Sequence, residues 1–210
     1  KSSKNPIIDE IIDTKPRIIL LNKSDLADEK VSRQWNEWYA SKGLTCIFVD
    51  SIKGTGIGSL KSKLMDIMKE KIEREKQKGR RFRPIRTMVV GIPNVGKSSF
   101  INKIAGRASA KTGDKPGVTR GKQWIRLNRQ IDLLDTPGVL WPKFEDQETG
   151  LNLAFTGAIK DEVFDIVEVA SILMERLSNK YPDELKNRFK LDSLIADNKL
   201  ELLEAAARKR

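Results

Sequence analysis

Three short stretches of this chain carry side chains suited to holding phosphates. Gly91-Ile-Pro-Asn-Val-Gly96-Lys97-Ser98 fits the pattern G-x-x-x-x-G-K-[ST]. Glycines there let the backbone curl until several N–H groups point at phosphate oxygens. A helix opening at the lysine adds its partial positive charge. Lys97 is expected to reach β- and γ-phosphates, and the Ser98 hydroxyl to ligate Mg²⁺. This pattern does not separate ATP from GTP. Asp135-Thr-Pro-Gly138 closes the apolar run "IDLLD". It places a carboxylate to hold the Mg²⁺ shell, directly or through water, and the Gly138 amide to bond a γ-phosphate. Between the two lies "KTGDKPGVTRG", residues 111–121, whose Thr119 offers a hydroxyl and a carbonyl to the same ion. Each stretch alone has a plainer alternative: a glycine turn, an ordinary turn, a loop threonine.

Asn22-Lys23-Ser24-Asp25 bears on the base. Guanine presents N1–H and N2–H₂ side by side, and one carboxylate accepts both. Adenine offers no such pair there, so Asp25 would select guanine through a bidentate bond. Asn22 can tie this loop to the phosphate loop and meet the base, while the aliphatic stem of Lys23 covers the ring. Asp50-Ser51-Ile52-Lys53-Gly54 also follows an apolar run, and its amides can meet the guanine O6. A lone N-K-x-D is equally a helix cap.

The elements that must position these groups alternate. Helices are expected over 7–12, 28–42, 60–77 and 98–105, and strands over 17–22, 45–51 and 86–91. A hairpin over 122–127 and 130–134 turns at Asn128-Arg129. Such alternation argues for an α/β domain with a mainly parallel sheet. After about residue 150 only helices are expected, over 162–179, 182–189 and 197–208. The domain reading is therefore 1–148 and 149–210. Val163, Phe164, Ile166, Val167, Val169, Ala170, Leu173 and Leu177 are expected to form the core of the helical part. Ligands in open parallel sheets bind at the carboxyl ends of the strands. Loops sharing that edge can build one site in any chain order. Here the order is base reader, O6 loop, phosphate loop, switch loop, D-T-P-G, a rotation of the usual GTPase order.

Charge is uneven. Of the net +11, residues 1–150 hold +12 and residues 151–210 hold −1. A positive surface of that size attracts polyanions, with salt-sensitive binding. From Lys78 to Arg86 every charge is positive, which suits either a solvated linker or an RNA-backbone contact. No apolar run approaches the roughly eighteen residues that span a bilayer, and Cys46 is the only cysteine. The expectation is a soluble cytoplasmic monomer without membrane contact, with Cys46 packed in a strand.

These motifs resemble those of the circularly permuted GTPases, and within them the ribosome biogenesis GTPase A family. The residues that carry the likeness are "SSKNPIIDEII", "KPRIILLNKSD", "IPNVGKSSFINKIA", "AKTGDKPGVT", "LLDTPGVLWPKFED" and "TGAIKD", spread over nearly the whole chain. The resemblance implies a circularly permuted Ras-like P-loop GTPase domain followed by a C-terminal helical domain. It implies GTP/GDP and Mg²⁺ as ligands, and a GTP-dependent role in maturing the large (50S) ribosomal subunit, with rRNA and ribosomal proteins as partners. By position, Asn22, Lys23, Ser24, Asp25, Asp50, Ser51, Asn94, Val95, Gly96, Lys97, Ser98, Ser99 and Gly138 would contact GTP. Ser98, Thr119 and Asp135 would serve Mg²⁺, and Lys97, Thr119 and Gly138 catalysis. Relatives use the asparagine corresponding to Asn94 for K⁺. Two departures matter. Val139 stands where ordinary Ras-like GTPases place a water-orienting glutamine. The family's upstream strand and its histidine-bearing segment are not in this sequence, which begins at Lys1. GTP binding with slow unaided hydrolysis is therefore expected. The alternative is a GTP-locked RNA-binding module for the small subunit or another RNA. Because Trp141, Pro142 and Phe144 lead from Gly138 into the helical part, GTP is expected to re-angle those helices.

Overall fold

The computed structural model describes residues 2–80, 83–106, 121–144, 146–194 and 198–209. It divides into two compact units, essentially Ser3–Pro142 and Lys143–Arg210.

In the first unit the order is α1 (Ile7–Ile12), β1 (Ile18–Leu21), α2 (Glu29–Ser41), β2 (Thr45–Phe48), α3 (Leu60–Gln77), β3 (Ile85–Val89), α4 (Lys97–Ala105), β4 (Gln123–Arg126) and β5 (Ile131–Asp135). Local chemistry sets several boundaries. Asp28 accepts the Val31 amide at 2.9 Å and caps α2. Asn128 accepts the amides of Gln130 and Ile131 and closes the β4–β5 hairpin at the expected turn. Glu70 and Arg74 pair one turn apart on α3, as its mixed charges suggest.

β1 and β2 are parallel, with Ile18 opposite Thr45 and Leu21 opposite Phe48. β3 lies parallel to β5 and β4 antiparallel to it, in the order β3-β5-β4. The described strands thus form two sheets, where alternation suggests one. No ladder joins β1 to β3. What unites them is burial: Ile47 and Val49 from β2 and its exit, Leu60 of α3, Phe100 and Ile101 of α4, Ile125 of β4 and Leu133 of β5 form a single apolar cluster. Both sheets are therefore held on one core, and their strand ends can serve one site.

Cys46 sits half-buried in β2, and burial pushes its thiol above the ordinary range. The loop after β2 is tight. Gly56 has φ +80°, and a Cβ there would lie 1.9 Å from the Phe48 carbonyl oxygen. Gly56→Ala should therefore destabilise the protein by about 2–4 kcal/mol, read as a lower midpoint in urea with an unchanged slope.

The second unit contains α5 (Gln147–Phe155), a 3₁₀ turn (Asp161–Val163), α6 (Ile166–Lys180), α7 (Pro182–Phe189) and α8 (Lys199–Arg208). Asp165 accepts the amides of Val167 and Glu168, so α6 starts later than the apolar pattern suggests. This corrects the expected core. Val163, Ile166 and Val167 are 71%, 56% and 54% exposed. The core instead gathers Met174, Leu185, Leu191, Leu202 and Ala206, with Leu177 packed against it. The cap leaves Val163 outside α6 and puts Ile166 and Val167 in its first turn, where they are exposed although Val167 shares a face with the buried Ser171 and Met174. Helix α5 has no counterpart in the sequence reading. Arg176 of α6 grips Glu148 of α5 with both guanidinium nitrogens, at 2.8 and 2.6 Å, and holds that carboxyl below its usual range.

Candidate functional site

Asn22 joins three of the loops singled out in the sequence. Its Nδ2 donates to the Val95 carbonyl at 2.8 Å, and its Oδ1 accepts from the Ser51 amide at 3.2 Å and the Ser51 hydroxyl at 2.7 Å. One amide side chain thus ties the end of β1 to the phosphate loop, 73 residues on, and to the loop after β2. The fit is close. Gly96 has φ +90°, and a Cβ there would lie 2.3 Å from Asn22 Nδ2. Only glycine lets the N-K-S-D loop reach the phosphate loop at this point.

The phosphate loop leaves β3 at Gly91 and becomes α4 at Lys97. Asn94 takes φ +56°, a left-handed geometry that asparagine tolerates. Lys97 folds back, donating to the carbonyls of Gly91 at 3.1 Å and Ile92 at 2.8 Å. Burial draws its pKa down, opposed by the charge of Asp135. Asp135 is 1% exposed, and burial pushes its carboxyl up, opposed by Lys97 and by the Thr136 amide. Its Oδ1 has no hydrogen-bond partner among the described residues. A buried carboxylate oxygen left open beside a lysine is a poor structural element and a good ligand for a hard cation. The residues present therefore fit Mg²⁺.

The turn after Asp135 is locked onto the phosphate loop. Thr136 Oγ1 donates to the Val89 carbonyl at 2.6 Å, and the Val139 amide donates to the Gly91 carbonyl at 3.3 Å. A Cβ on Gly138 would lie 2.6 Å from the Pro93 backbone, so nothing larger fits between the two loops.

On the base-reading side, the Ser24 amide donates to the Val49 carbonyl at 3.1 Å. Lys23 takes φ +56°, and Asp25 is exposed. Asp50 is buried. Its Oδ1 accepts the amides of Lys53 at 3.0 Å and Ile52 at 2.8 Å, which hold its carboxyl below the usual range. Lys103 of α4 donates to the Ile52 carbonyl at 2.8 Å and pins this loop from the phosphate side. The sequence marks Asn5 only as the start of a helix and gives Lys103 no role; the long-range contact each makes spans a distance set only by the fold. Thr119 lies outside the described residues, as does Arg81 of the basic run. Within that run Arg80 is taken up by Glu75, at 2.9 and 2.7 Å, and Arg86 lies over the Trp124 ring at 5.3 Å.

A glycine-cradled phosphate loop opening a helix, a buried carboxylate beside its lysine, and an N-K-S-D loop bound to it define a P-loop GTPase in circularly permuted order. A family model described as "50S ribosome-binding GTPase" matches residues 86–199. That match begins at β3, so it takes in the phosphate loop but leaves out the base reader that the permutation moves upstream. Ribosome biogenesis GTPase A of Priestia megaterium is 46% identical over the whole of this chain and 73% of its own length. The protein of the same name from Bacillus pumilus is 44% identical over 100% and 74%. The crystal structure of GNP-bound YlqF from T. maritima has the same fold, with a TM-score of 0.57 at 23% identity over 99% of this chain and 83% of that one. The chain belongs to the ribosome biogenesis GTPase A family.

Proposed function

We propose that this GTPase is a slow switch in the assembly of the large ribosomal subunit. The observation that carries the nucleotide reading is Asn22, whose single side chain holds the N-K-S-D loop, the loop after β2 and the phosphate loop together. GTP lies across that junction. Asp25 receives guanine N1–H and N2–H₂, the stem of Lys23 covers the ring, and the amides around Ser51 meet O6. Asn94 to Ser99 surround the phosphates, Lys97 releases the loop carbonyls to reach β- and γ-oxygens, and the Gly138 amide senses the γ-phosphate. Ser98 and Thr119 would hold Mg²⁺, with Asp135 serving it directly or through water, and the ion would supply positive charge against the phosphates. Asn94 is the candidate ligand for K⁺.

The relatives' name speaks of ribosome biogenesis and the family description of the 50S ribosome, which supports the large subunit as target; rRNA and ribosomal proteins are its proposed contacts. The positive balance of residues 1–150 supports an RNA partner. Among the described residues no helix is long and apolar enough to cross a membrane. The helical unit starts at Lys143, shortly after Gly138, so its attachment to the γ-phosphate sensor is covalent and short. We assign the domains as 1–148 and 149–210 from the sequence motifs, while the division into compact units falls earlier, between Pro142 and Lys143.

Val139 favours a second reading, a GTP-locked RNA-binding module. Its side chain is exposed and cannot orient water. Turnover separates the two. The switch predicts that purified large subunits raise GTP hydrolysis about 10-fold or more, and that KCl supports it better than NaCl at equal ionic strength. Turnover unchanged by subunits, with tight GTP-dependent RNA binding, favours the module.

A further inference from the structure

Asn5 is 5% exposed, although it stands just ahead of a short helix that has no buried residue. Its Oδ1 accepts the Ile7 amide at 3.0 Å, the expected bond at the start of α1. Its Nδ2 donates to the Val139 carbonyl at 3.2 Å, across 134 positions of sequence. The two partners fix the amide's orientation, since an N–H can meet only the oxygen and a carbonyl only the nitrogen. The backbone of Val139 is consequently held through both of its peptide groups, its N–H by the Gly91 carbonyl and its C=O by Asn5.

We propose that Asn5 is a positioning residue for γ-phosphate recognition, holding the Gly138–Val139 segment against the phosphate loop so that the Gly138 amide is already aimed when GTP enters. This rests on the reading above in which Gly138 meets the γ-phosphate. Gly138 packs on Pro93 with no room for a Cβ, so a small displacement of Val139 moves the Gly138 amide as well. Without the clamp, ordering that segment becomes a cost of binding GTP but not GDP, because only GTP carries the group that the segment meets.

Asn5→Asp isolates the clamp. Aspartate is isosteric and still accepts the Ile7 amide, but it cannot donate to Val139 and turns a carboxylate towards a carbonyl. Affinity for the non-hydrolysable analogue GMPPNP should fall about tenfold while GDP affinity stays within about twofold, measured with fluorescent nucleotides at saturating Mg²⁺. Asn5→Ala should show the same split with a lower melting temperature, since it also removes the bond to Ile7. Equal losses for both nucleotides, or none, would overturn the proposal. Gly138→Ala, run in parallel, separates it from the reading beneath it. If Gly138→Ala lowers the GMPPNP-to-GDP affinity ratio and Asn5→Asp does not, Asn5 is only structural. If Gly138→Ala leaves that ratio unchanged, the γ-phosphate role of Gly138 fails and the Asn5 proposal fails with it.

Discussion

Asp25→Asn should lower GTP affinity by about 100- to 1000-fold and transfer preference to xanthosine triphosphate. In the proposed complex the carboxylate accepts two parallel N–H bonds from guanine, and both are charge-assisted. Asparagine keeps one acceptor and replaces the other with a donor, which then faces the guanine amino group. Leaving a buried donor against a donor costs more than losing a bond between neutral partners. Xanthine carries a carbonyl where guanine carries the amino group, so the same asparagine restores a matched pair. Asp25 is exposed in the nucleotide-free protein, so the substitution should leave its stability within about 0.5 kcal/mol. Binding is thereby read without a folding defect. Competition titrations with GTP, XTP and ATP check it. Retention of a strong GTP preference by the variant would remove Asp25 as the base reader.

The parts of the site legible in the sequence are those whose geometry is local. A glycine loop between a strand and a helix builds its own phosphate cradle, and G-x-x-x-x-G-K-S says so without tertiary help. The N-K-S-D tetrad is nearly as clear, and its asparagine does reach the phosphate loop as its chemistry suggests. Asn5 and Lys103 are different. Each bonds a backbone carbonyl far away in sequence, and any polar side chain of the right length can do this. The fold was legible where periodicity had one solution, as over α3 and α7, whose bounds match the expected ones. It was not legible where an apolar run hides the start of a helix. Val163 to Leu173 reads as one apolar stretch, but the Asp165 cap starts α6 at Ile166 and leaves Val163, Ile166 and Val167 exposed. Helix α5 escaped because Gly150 interrupts it and only Thr149 and Leu153 are buried, too few to show a period.

Asp135→Asn gives the other large effect, and its pH dependence carries the argument. Burial raises the Asp135 pKa in the folded protein above the unfolded value. A carboxyl raised in this way contributes stability that is full below its unfolded pKa, near 3.9, and is lost as pH rises through the folded pKa. Ionising this carboxyl as pH rises therefore works against its burial, relieved only in part by Lys97. Asp9, Asp50, Glu75 and Glu148 run the other way, since hydrogen bonds hold their pKa values down and their stabilisation grows with pH. The bare melting profile mixes both signs, but the difference between wild type and Asp135→Asn isolates this one group. Without nucleotide, that difference should move in favour of the variant as pH rises from about 4 towards neutrality. With saturating Mg²⁺ and GTP the order should reverse, because the cation finds its open oxygen only in the wild type. Loss of about 100-fold in Mg²⁺-dependent GTP affinity corresponds to about 2.7 kcal/mol. Differential scanning calorimetry at several pH values, with and without Mg²⁺ and GTP, reads both halves. A difference profile flat in pH would mean that Asp135 is not held strained, and equal stabilisation of both proteins by Mg²⁺ with GTP would remove it from the metal's surroundings. The site would thus be costly to the empty protein in the same place where it is useful to the filled one, which makes GTP and Mg²⁺ part of its fold as well as its cargo.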